Sequence, residues 1–329
     1  MGLLTGLAQR FEEIIVEPDT AGKSISYGST VKFNFFTINK KGKKKEVEFQ
    51  KIDKFLAVEC LTPECNFSNG RLTFPFAVKT KNFIQGKVHF YSVKPEDLRY
   101  DQTFDIKLNF KEATVMNFDG SRGMGGGNGP NAGIPVLLRD GKAGDQGGNA
   151  GNGGPGKVIT VRIKKEMDDL LKKEIYFIYV VNDSTKEESV FRCLHPEKGL
   201  EINVRGGDGG NGGKGGDGSK GKNGVKTESE DKRPGDGGNG GYGGNGGNGG
   251  KGGKVTVIAH TNAADLFVYL KIDNSGGKAG AAGRGGAGGA AGQAASGQNS
   301  GTNGKAGGDG TMGLPGEQGG NFELRVEDF

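Results

Sequence analysis

Several residue types are scarce in this 329-residue chain, and each scarcity excludes a class of protein. There is no tryptophan, and there are only three cysteines and ten prolines. Three cysteines are too few for a disulfide-stapled scaffold. Hydrophobic residues make up 33%, below the roughly 45–50% of an ordinary domain. No apolar run approaches the ~18 residues of a membrane span. A conventional hydrophobic core is therefore available to part of the chain alone.

The charge is mild and both signs are mixed. The chain has 44 basic and 39 acidic residues, for a net charge of +5, which is not the pattern of an obligate nucleic-acid binder. Residues 1–11 have a short apolar patch without a basic segment before it, so we expect no secretory signal. Residues 2–10 are either a frayed terminus or an assembly segment that exchanges into a neighbour's sheet.

The cysteines allow more than one interpretation. Cys60 and Cys65 lie close together, and Cys193 lies two residues before His195. These four residues make a formal Cys3His zinc set, but their spacing is not that of a finger or ribbon. A Cys60–Cys65 loop disulfide is a second hypothesis, and free thiols are the third. We favour free thiols and predict no metal and no cofactor.

The glycine content divides the chain into two regions of different composition. Only seven of the 66 glycines precede Phe118, whereas 14 of the 19 phenylalanines lie at or before it. The first ~118 residues can therefore build an apolar core. We predict one domain over 1–118 and a second, glycine-rich domain over 119–329.

The N-terminal domain has the alternation of half-buried strands. Phe104, Ile106 and Leu108 alternate with polar residues, as do Val31 and Phe33, and a period of two buries one face of a strand. Further predicted strands cover 11–17, 46–52, 55–59, 71–78 and 87–93. The pattern predicts an immunoglobulin-like or jelly-roll β-sandwich that acts as a docking domain. The basic run 40–45 is either a phosphate-contacting loop or a solvated turn, and we favour a turn with Gly42 at positive φ.

Glycine recurs every third residue in the C-terminal part, in six arms paired across three turns. The arms cover residues 120–129, 141–154, 206–224, 235–253, 277–292 and 301–319. A period of three matches the left-handed polyproline II helix, whose backbone groups point sideways. Proline is too scarce for collagen, and a flexible linker does not keep its register over seven triplets. We therefore predict a bundle of polyglycine II helices.

Two arms, 206–224 and 235–253, have runs with two glycines per triplet. Two glycine faces allow two close neighbours, so we predict that these arms are interior and that 301–319 is peripheral. In the two interior arms, the third residue of each triplet then forms an outward surface stripe. The predicted stripe contains Asp208, Asn211, Lys214, Asn239, Tyr242 and Asn245.

Apolar segments bracket the arms and supply the hydrophobic residues that the arms lack. Predicted strands cover 157–163, 200–205, 254–259, 266–273 and 321–327. They indicate a small β-sheet or barrel from which three glycine hairpins project. Residues 165–173, with Met167 and Leu171, are a candidate short helix.

The layout resembles two known families. The segments RGGDGGNGG at 205–213 and DGGNGG at 236–241 resemble the glycine-rich N-terminal domain of the Obg GTPases, over residues 119–329. The GTPase domain itself is lacking: the Gly-x4-Gly-Lys matches at 151–157 and 216–222 continue with Val158 and Asn223, not with Ser or Thr. The arms and their turns also resemble phage tail-fibre tip adhesins, which implies that the loop tips bind the receptor.

The tips are residues 130–140, 225–234 and 293–300. The candidate binding residues at these tips are Asn131, Arg139, Asp140, Lys226, Glu228, Asp231, Arg233, Gln293, Gln298 and Asn299. The three histidines, His89, His195 and His260, lie in no nucleophile or metal motif, so we predict that the chain is not an enzyme.

We expect a structural or adhesive protein of an appendage, fibre or virion-like assembly. Its expected partners are a protein or surface-glycan receptor, copies of itself, or both, outside the cell or on a virion. One alternative is an intracellular Obg-like scaffold that inserts its arms into a ribonucleoprotein, in the cytoplasm. The other is an extracellular filament subunit.

Overall fold

A computed structural model provides the fold, and it describes residues 12–75, 78, 83, 85–94, 98–135, 139–168 and 171–329. The predicted assembly segment 2–10 lies outside the described residues. The N-terminal strands are β1 (Glu13–Pro18), β2 (Thr30–Ile38), β3 (Lys44–Val47), β4 (Leu56–Cys60), β5 (Asn66–Ser68), β6 (Arg71–Thr73), β7 (Gln85–Ser92) and β8 (Asp101–Lys107).

The later strands alternate with the glycine arms. They are β9 (Thr114–Asn117), β10 (Val158–Asp168), β11 (Lys173–Asn182), β12 (Glu188–Cys193), β13 (Leu200–Asn203), β14 (Val225–Lys226), β15 (Asp231–Lys232), β16 (Lys254–His260), β17 (Leu270–Asp273) and β18 (Glu323–Glu327). Short 3-10 helices cover Phe49–Lys51, Pro196–Lys198 and Thr261–Tyr269. The predicted all-β class is confirmed.

The N-terminal part places two sheets around one apolar core. The first sheet has the order β1-β2-β6-β5, with β3 also paired to β2, and the second has the order β4-β7-β8. Phe33 from the first sheet and Phe90 from the second are both buried, with ring centroids 5.2 Å apart. Every second side chain of β2 and β7 therefore points into this core, as their period of two predicts.

Two other sequence predictions for this part have clear outcomes. The strand predicted over 46–52 ends at Val47, and a 3-10 helix follows. The basic run is a turn, as predicted, because Gly42 has φ +71° and Asn39 Oδ1 accepts from the Lys41 and Lys43 amides at 2.9 and 3.1 Å.

The predicted helix over 165–173 is wrong. Met167 and Asp168 continue β10, which pairs with β11 in a hairpin whose last pair is Asp168↔Lys173. Lys172 takes a φ of +53° in the turn, and Asp168 Oδ1 accepts from the Leu171 amide at 2.9 Å. The apolar spacing was compatible with a helix, but pairing along β11 is stronger than that local preference.

A second pair of sheets forms a base for the arms. One sheet has the order β12-β11-β10-β16-β18 and the other β17-β13-β9. Their facing residues, such as Val161, Val257 and Ile202, are fully buried in one cluster. Met116 of β9 is also fully buried there, so the base begins slightly before the predicted boundary at residue 119. Residues 266–269, predicted as strand, belong to the 3-10 helix that precedes β17.

A buried ion pair lies where the N-terminal part meets the base. Arg192 Nε donates to Asp168 Oδ2 at 2.7 Å, and both side chains are almost completely buried. The same guanidinium donates to the Phe83 carbonyl at 3.3 Å and to the Tyr27 hydroxyl at 3.4 Å. Tyr27 also packs edge-on against Phe191. These contacts join residues of both parts around one charge pair.

The arms continue the parallel strands of the base. The strands β9, β13 and β17 lead into arms 1, 3 and 5 (120–129, 206–224 and 277–292), while arms 2, 4 and 6 (141–154, 235–253 and 301–319) lead into β10, β16 and β18. The residue offset between β9 and β13 continues into the arms that follow them. Asn117 pairs with Asn203 in the sheet, and the same offset of 86 residues relates arms 1 and 3, where Asn128 Oδ1 accepts from the Lys214 amide.

Backbone hydrogen bonds arrange the arms in two layers. Arms 1, 3 and 5 form the first layer and arms 2, 4 and 6 the second, with parallel bonds inside a layer and antiparallel bonds between layers. Arms 3 and 4 each bond four other arms, whereas arms 1 and 6 each bond two. A Cβ added at Gly209 of arm 3 would lie 2.1 Å from the Gly247 carbonyl oxygen. The double-glycine arms therefore occupy the most crowded positions.

Candidate functional site

Most of the predicted surface stripe is a hydrogen-bonding ladder. Asp208 and Asn211 of arm 3 accept through Oδ1 from the Lys278 and Ala281 amides of arm 5, at 2.8 and 3.0 Å. In the second layer, Asn239 and Asn245 of arm 4 accept from the Lys305 and Thr311 amides of arm 6, both at 2.8 Å. Amide groups on the outer faces have no further arm to bond, and these side chains satisfy them.

Two members of the stripe depart from the ladder. Lys214 has no acceptor to offer and instead pairs with Asp217 at 3.1 Å. Tyr242 places its ring against Gly308 of arm 6 and is 61% exposed. The stripe thus combines structural acceptors with two side chains that serve no ladder bond.

Two acidic side chains of the ladder are held in the charged state. The Ala287 amide, and next the Lys214 ammonium, lower the pKa of Asp217. The Thr302 amide and hydroxyl lower the pKa of Asp236. Hydrogen bonds to an ionised carboxylate favour that form, so the ladder carries fixed negative charge at these points.

The outer edges of the bundle carry side chains where interior arms have glycine. Met124 of arm 1 corresponds to Gly210 of arm 3, whose added Cβ would lie 2.0 Å from the Met124 carbonyl oxygen. Met312 of arm 6 corresponds in the same way to Gly246 of arm 4. Met124 and Met312 are 82% and 67% exposed. A further arm could not approach either edge closely, which limits the bundle to six.

The first and second tips are joined by Arg139. Its Nε donates to the Arg233 carbonyl and its Nη2 to the Asn223 carbonyl. Asp140 accepts from the Asp236 amide at 2.9 Å and lies 3.6 Å from the Arg233 guanidinium. These contacts connect the start of arm 2 to the hairpin between arms 3 and 4.

The third tip is joined to the second by Gln298. Its Nε2 donates to the Asp231 carboxylate at 2.6 Å and to the Lys232 and Val225 carbonyls at 3.1 and 3.2 Å. The backbone of Gln293 bonds residues 223 and 224 at the end of arm 3, directly before the second tip. The three predicted tips therefore meet at one end of the bundle, centred on the β14–β15 hairpin. We call this surface the distal platform.

The predicted tip residues thus have two kinds of position. Arg139, Asp140, Asp231, Arg233, Gln293 and Gln298 hold the tips together, and Asn131 Oδ1 accepts from the Asp217 amide at 2.8 Å. Lys226, Glu228 and Asn299 are exposed and take no part in these joining contacts. Ile134 lies within the first tip and is 80% exposed. The sequence analysis did not single it out, although its place between two glycine arms was a signal for an exposed position.

The cysteines do not form the zinc set or the disulfide that the spacing allowed. All three are free thiols. Burial raises the pKa of Cys65 to about 12, with smaller effects of Cys60 and Glu64, and Cys193 lies in the core of the base. Within the described ranges, no group of three metal-ligating side chains occurs.

Two other chemical candidates serve different purposes. His89 lies 3.0 Å from Asp101 in an open cleft of about 460 Å³, and Ser92 beside it accepts from the Tyr100 amide. The two Gly-x4-Gly-Lys segments lie within arms 2 and 3, where glycine amides such as that of Gly153 donate to a neighbouring arm.

No family model, curated protein or solved structure matches the chain. In the part of the chain that the structure describes, no helix has the length and apolar character needed to cross a bilayer.

Proposed function

We propose that this chain is a non-enzymatic adhesive or structural protein that uses a polyglycine II bundle to hold a binding surface at a distance from its docking domain. The observation that carries the proposal is the union of three loop tips into one platform through Arg139 and Gln298. A single surface formed by three joined tips is suited to recognition, whereas three independent loops would each lose entropy on binding.

Stiffness of the arms supports this function. A polyglycine II arm of 19 residues has a length of about 55 Å at its ~3.1 Å rise per residue. The amides of arms 3 and 4 bond neighbours along their whole length, and the offset between arms continues from the sheets below. The platform is therefore preorganised relative to the base.

The two ends of the molecule have different roles in this proposal. The N-terminal sheets, held to the base around Arg192 and Asp168, dock the protein into a larger assembly, and the platform contacts a receptor or a neighbouring subunit. The edge side chains Met124 and Met312 disfavour growth of a filament by addition of arms.

The proposal is tested by adhesion of protein-coated beads to cells and isolated cell envelopes of the source organism and its neighbours. The charge-swapped variant Lys226→Glu/Glu228→Lys changes the exposed platform without touching the joining contacts. We expect adhesion to fall at least tenfold, with an unchanged melting temperature.

The matched control is Arg122→Glu on the outer face of arm 1, which should adhere like the unchanged chain. Equal adhesion of the platform variant and the unchanged chain, or equal loss in the control, contradicts a role for the platform. Absence of adhesion by the unchanged chain to every surface contradicts the adhesive function itself.

A further inference from the structure

Tyr242 interrupts an otherwise regular row of acceptors on arm 4. The outward residues at 239, 245 and 248 are asparagines, and each accepts from an amide of arm 6 at 2.8 Å. The residue of arm 6 opposite Tyr242 is Gly308. A tyrosine side chain has no carbonyl oxygen to accept that amide. The chain therefore gives up one ladder bond in the middle of its most regular face.

Gly308 is a second exception, matched to the first. The equivalent outward residues of arm 6 are Lys305, Thr311 and Leu314. A Cβ at Gly308 would lie 3.2 Å from both Cδ1 and Cε1 of the Tyr242 ring. Glycine thus allows the ring to lie against the backbone of arm 6, where it is 61% exposed. Two coordinated departures hold an aromatic ring on an open surface.

Neutral carboxamides surround this ring. Successive rows across the second layer are Gln146–Tyr242–Gly308, Asn149–Asn245–Thr311 and Asn152–Asn248–Leu314. None of these nine residues is charged. Each ladder asparagine uses its oxygen for the neighbouring amide, which leaves its two N–H donors on the exposed face.

The opposite face of the bundle has a different chemistry. Rows across the first layer include Arg122–Asp208–Lys278 and Asn128–Lys214–Arg284. The second layer thus has a neutral face of three rows, bounded on one side by Lys305 and on the other by the Lys251–Glu317 ion pair, whereas the charged rows of the first layer lie on the opposite face of the bundle. A partner of the neutral face does not need charge, and it must tolerate a flat surface.

We propose that the outer face of the second layer binds a neutral polysaccharide chain, with Tyr242 as its stacking platform. The C–H face of a pyranose ring is apolar and packs on an aromatic ring, while sugar hydroxyls accept hydrogen bonds from carboxamides such as Gln146 and Asn245. This site lies along the side of the arms, so it is separate from the distal platform and its failure leaves the proposed function standing.

The test is retention of the full chain on insoluble cellulose, chitin, mannan and cross-linked dextran, with heparin beads as an anionic probe. The informative variant is Tyr242→Asn, which places the ladder residue of the same arm at this position and offers an acceptor to the Gly308 amide. We expect retention on at least one neutral polysaccharide to fall tenfold or more, with no drop in melting temperature.

Two further variants distinguish the effect of the aromatic ring from the effect of changing any exposed residue. Tyr242→Phe keeps the ring and should retain most binding. Lys214→Asn makes the equivalent change on the charged face and should bind neutral polysaccharide like the unchanged chain. Retention should also be insensitive to salt. Binding to heparin alone, binding to none of the four neutral polysaccharides, or equal retention by Tyr242→Asn would overturn the proposal.

Discussion

The N-terminal sheets and the glycine arms are both ordered, yet opposite chemistry stabilises them. In the N-terminal part, Phe33, Phe74 and Phe90 are at most 1% exposed in an apolar core. In the arms, the buried positions are glycines such as Gly209 and Gly247, and their amides bond neighbouring arms. An apolar core tolerates changes of shape better than changes of volume, whereas a Cβ added at Gly209 or Gly247 would lie 2.1 or 1.9 Å from a neighbouring carbonyl oxygen. Low hydrophobic content therefore does not indicate disorder when glycine keeps a register.

The largest expected effect is in the apolar core. Phe90→Ala removes a fully buried ring, and we expect it to lower the free energy of unfolding by about 3–5 kcal/mol. Chemical denaturation followed by tyrosine fluorescence measures the change. Tyr91→Ala, on the exposed side of the same strand, is the control and should change stability much less. Similar losses in both variants would mean that the ring does not form part of the core.

An added methyl group in the lattice should act nearly as strongly, although it adds apolar surface. A Cβ at Gly212 would lie 2.1 Å from the Gly244 carbonyl oxygen. Because this oxygen belongs to the backbone, it cannot rotate away as a side-chain atom could. We expect Gly212→Ala to destabilise by about 3 kcal/mol, the upper part of the usual overpacking range.

Differential scanning calorimetry measures that loss. Gly127→Ala is the matched control, since nothing lies within 4 Å of an added Cβ there. If both alanine variants melt like the unchanged chain, the arms are not closely packed and the contrast with the apolar core fails.

Removal of a ladder side chain should lower the stability less than Phe90→Ala or Gly212→Ala. Asn245→Ala leaves the Thr311 amide without its acceptor, but that amide is on an exposed face and water can replace the bond. We expect the free energy of unfolding to fall by about 1 kcal/mol. We also expect faster hydrogen exchange at the Thr311 amide than at the Gly246 amide. An Asn245→Asp variant keeps an acceptor and should restore slow exchange. Unchanged exchange in the alanine variant would contradict the ladder.

The smallest expected effect is a pH dependence confined to the arms. Hydrogen bonds lower the pKa of Asp217 and Asp236 in the folded chain. A lowered pKa means that the stabilisation is present above the unfolded value near 3.8 and disappears as the pH falls through the lower folded value. The melting temperature of the arms should fall below about pH 4.

The variant Asp217→Asn/Asp236→Asn keeps both acceptors and removes both charges. Its melting curve should depend less on pH between about pH 2 and pH 4 than that of the unchanged chain. An identical pH dependence would show that these two carboxylates do not contribute to the acid sensitivity of the arms.

Pattern reasoning worked where the pattern and the packing have the same period. Alternation predicted β2 and β7, and the glycine register predicted the arms and the crowding of arms 3 and 4. It failed at 165–173, where Met167 and Leu171 fit a helix as well as a strand turn, and it missed β11 and β12, whose apolar runs cover Lys173–Asn182 and Glu188–Cys193. Short apolar segments do not state which partner they will pair with.

The sequence by itself determines the glycine period of three, and that period predicts arms that pack closely against each other. It also places the three tips on turns. Tertiary pairing settles the rest. The order of the arms follows the order of β9, β13, β17 and of β10, β16, β18, because each arm is continuous with one of these strands. The residue offset of 86 between β9 and β13 continues into arms 1 and 3, whereas β16 and β18 are offset by 67 residues and arms 4 and 6 by 66. The union of the tips through Arg139 and Gln298, and the neutral face around Tyr242, arise from residues far apart in the chain, whose proximity depends on that shared register.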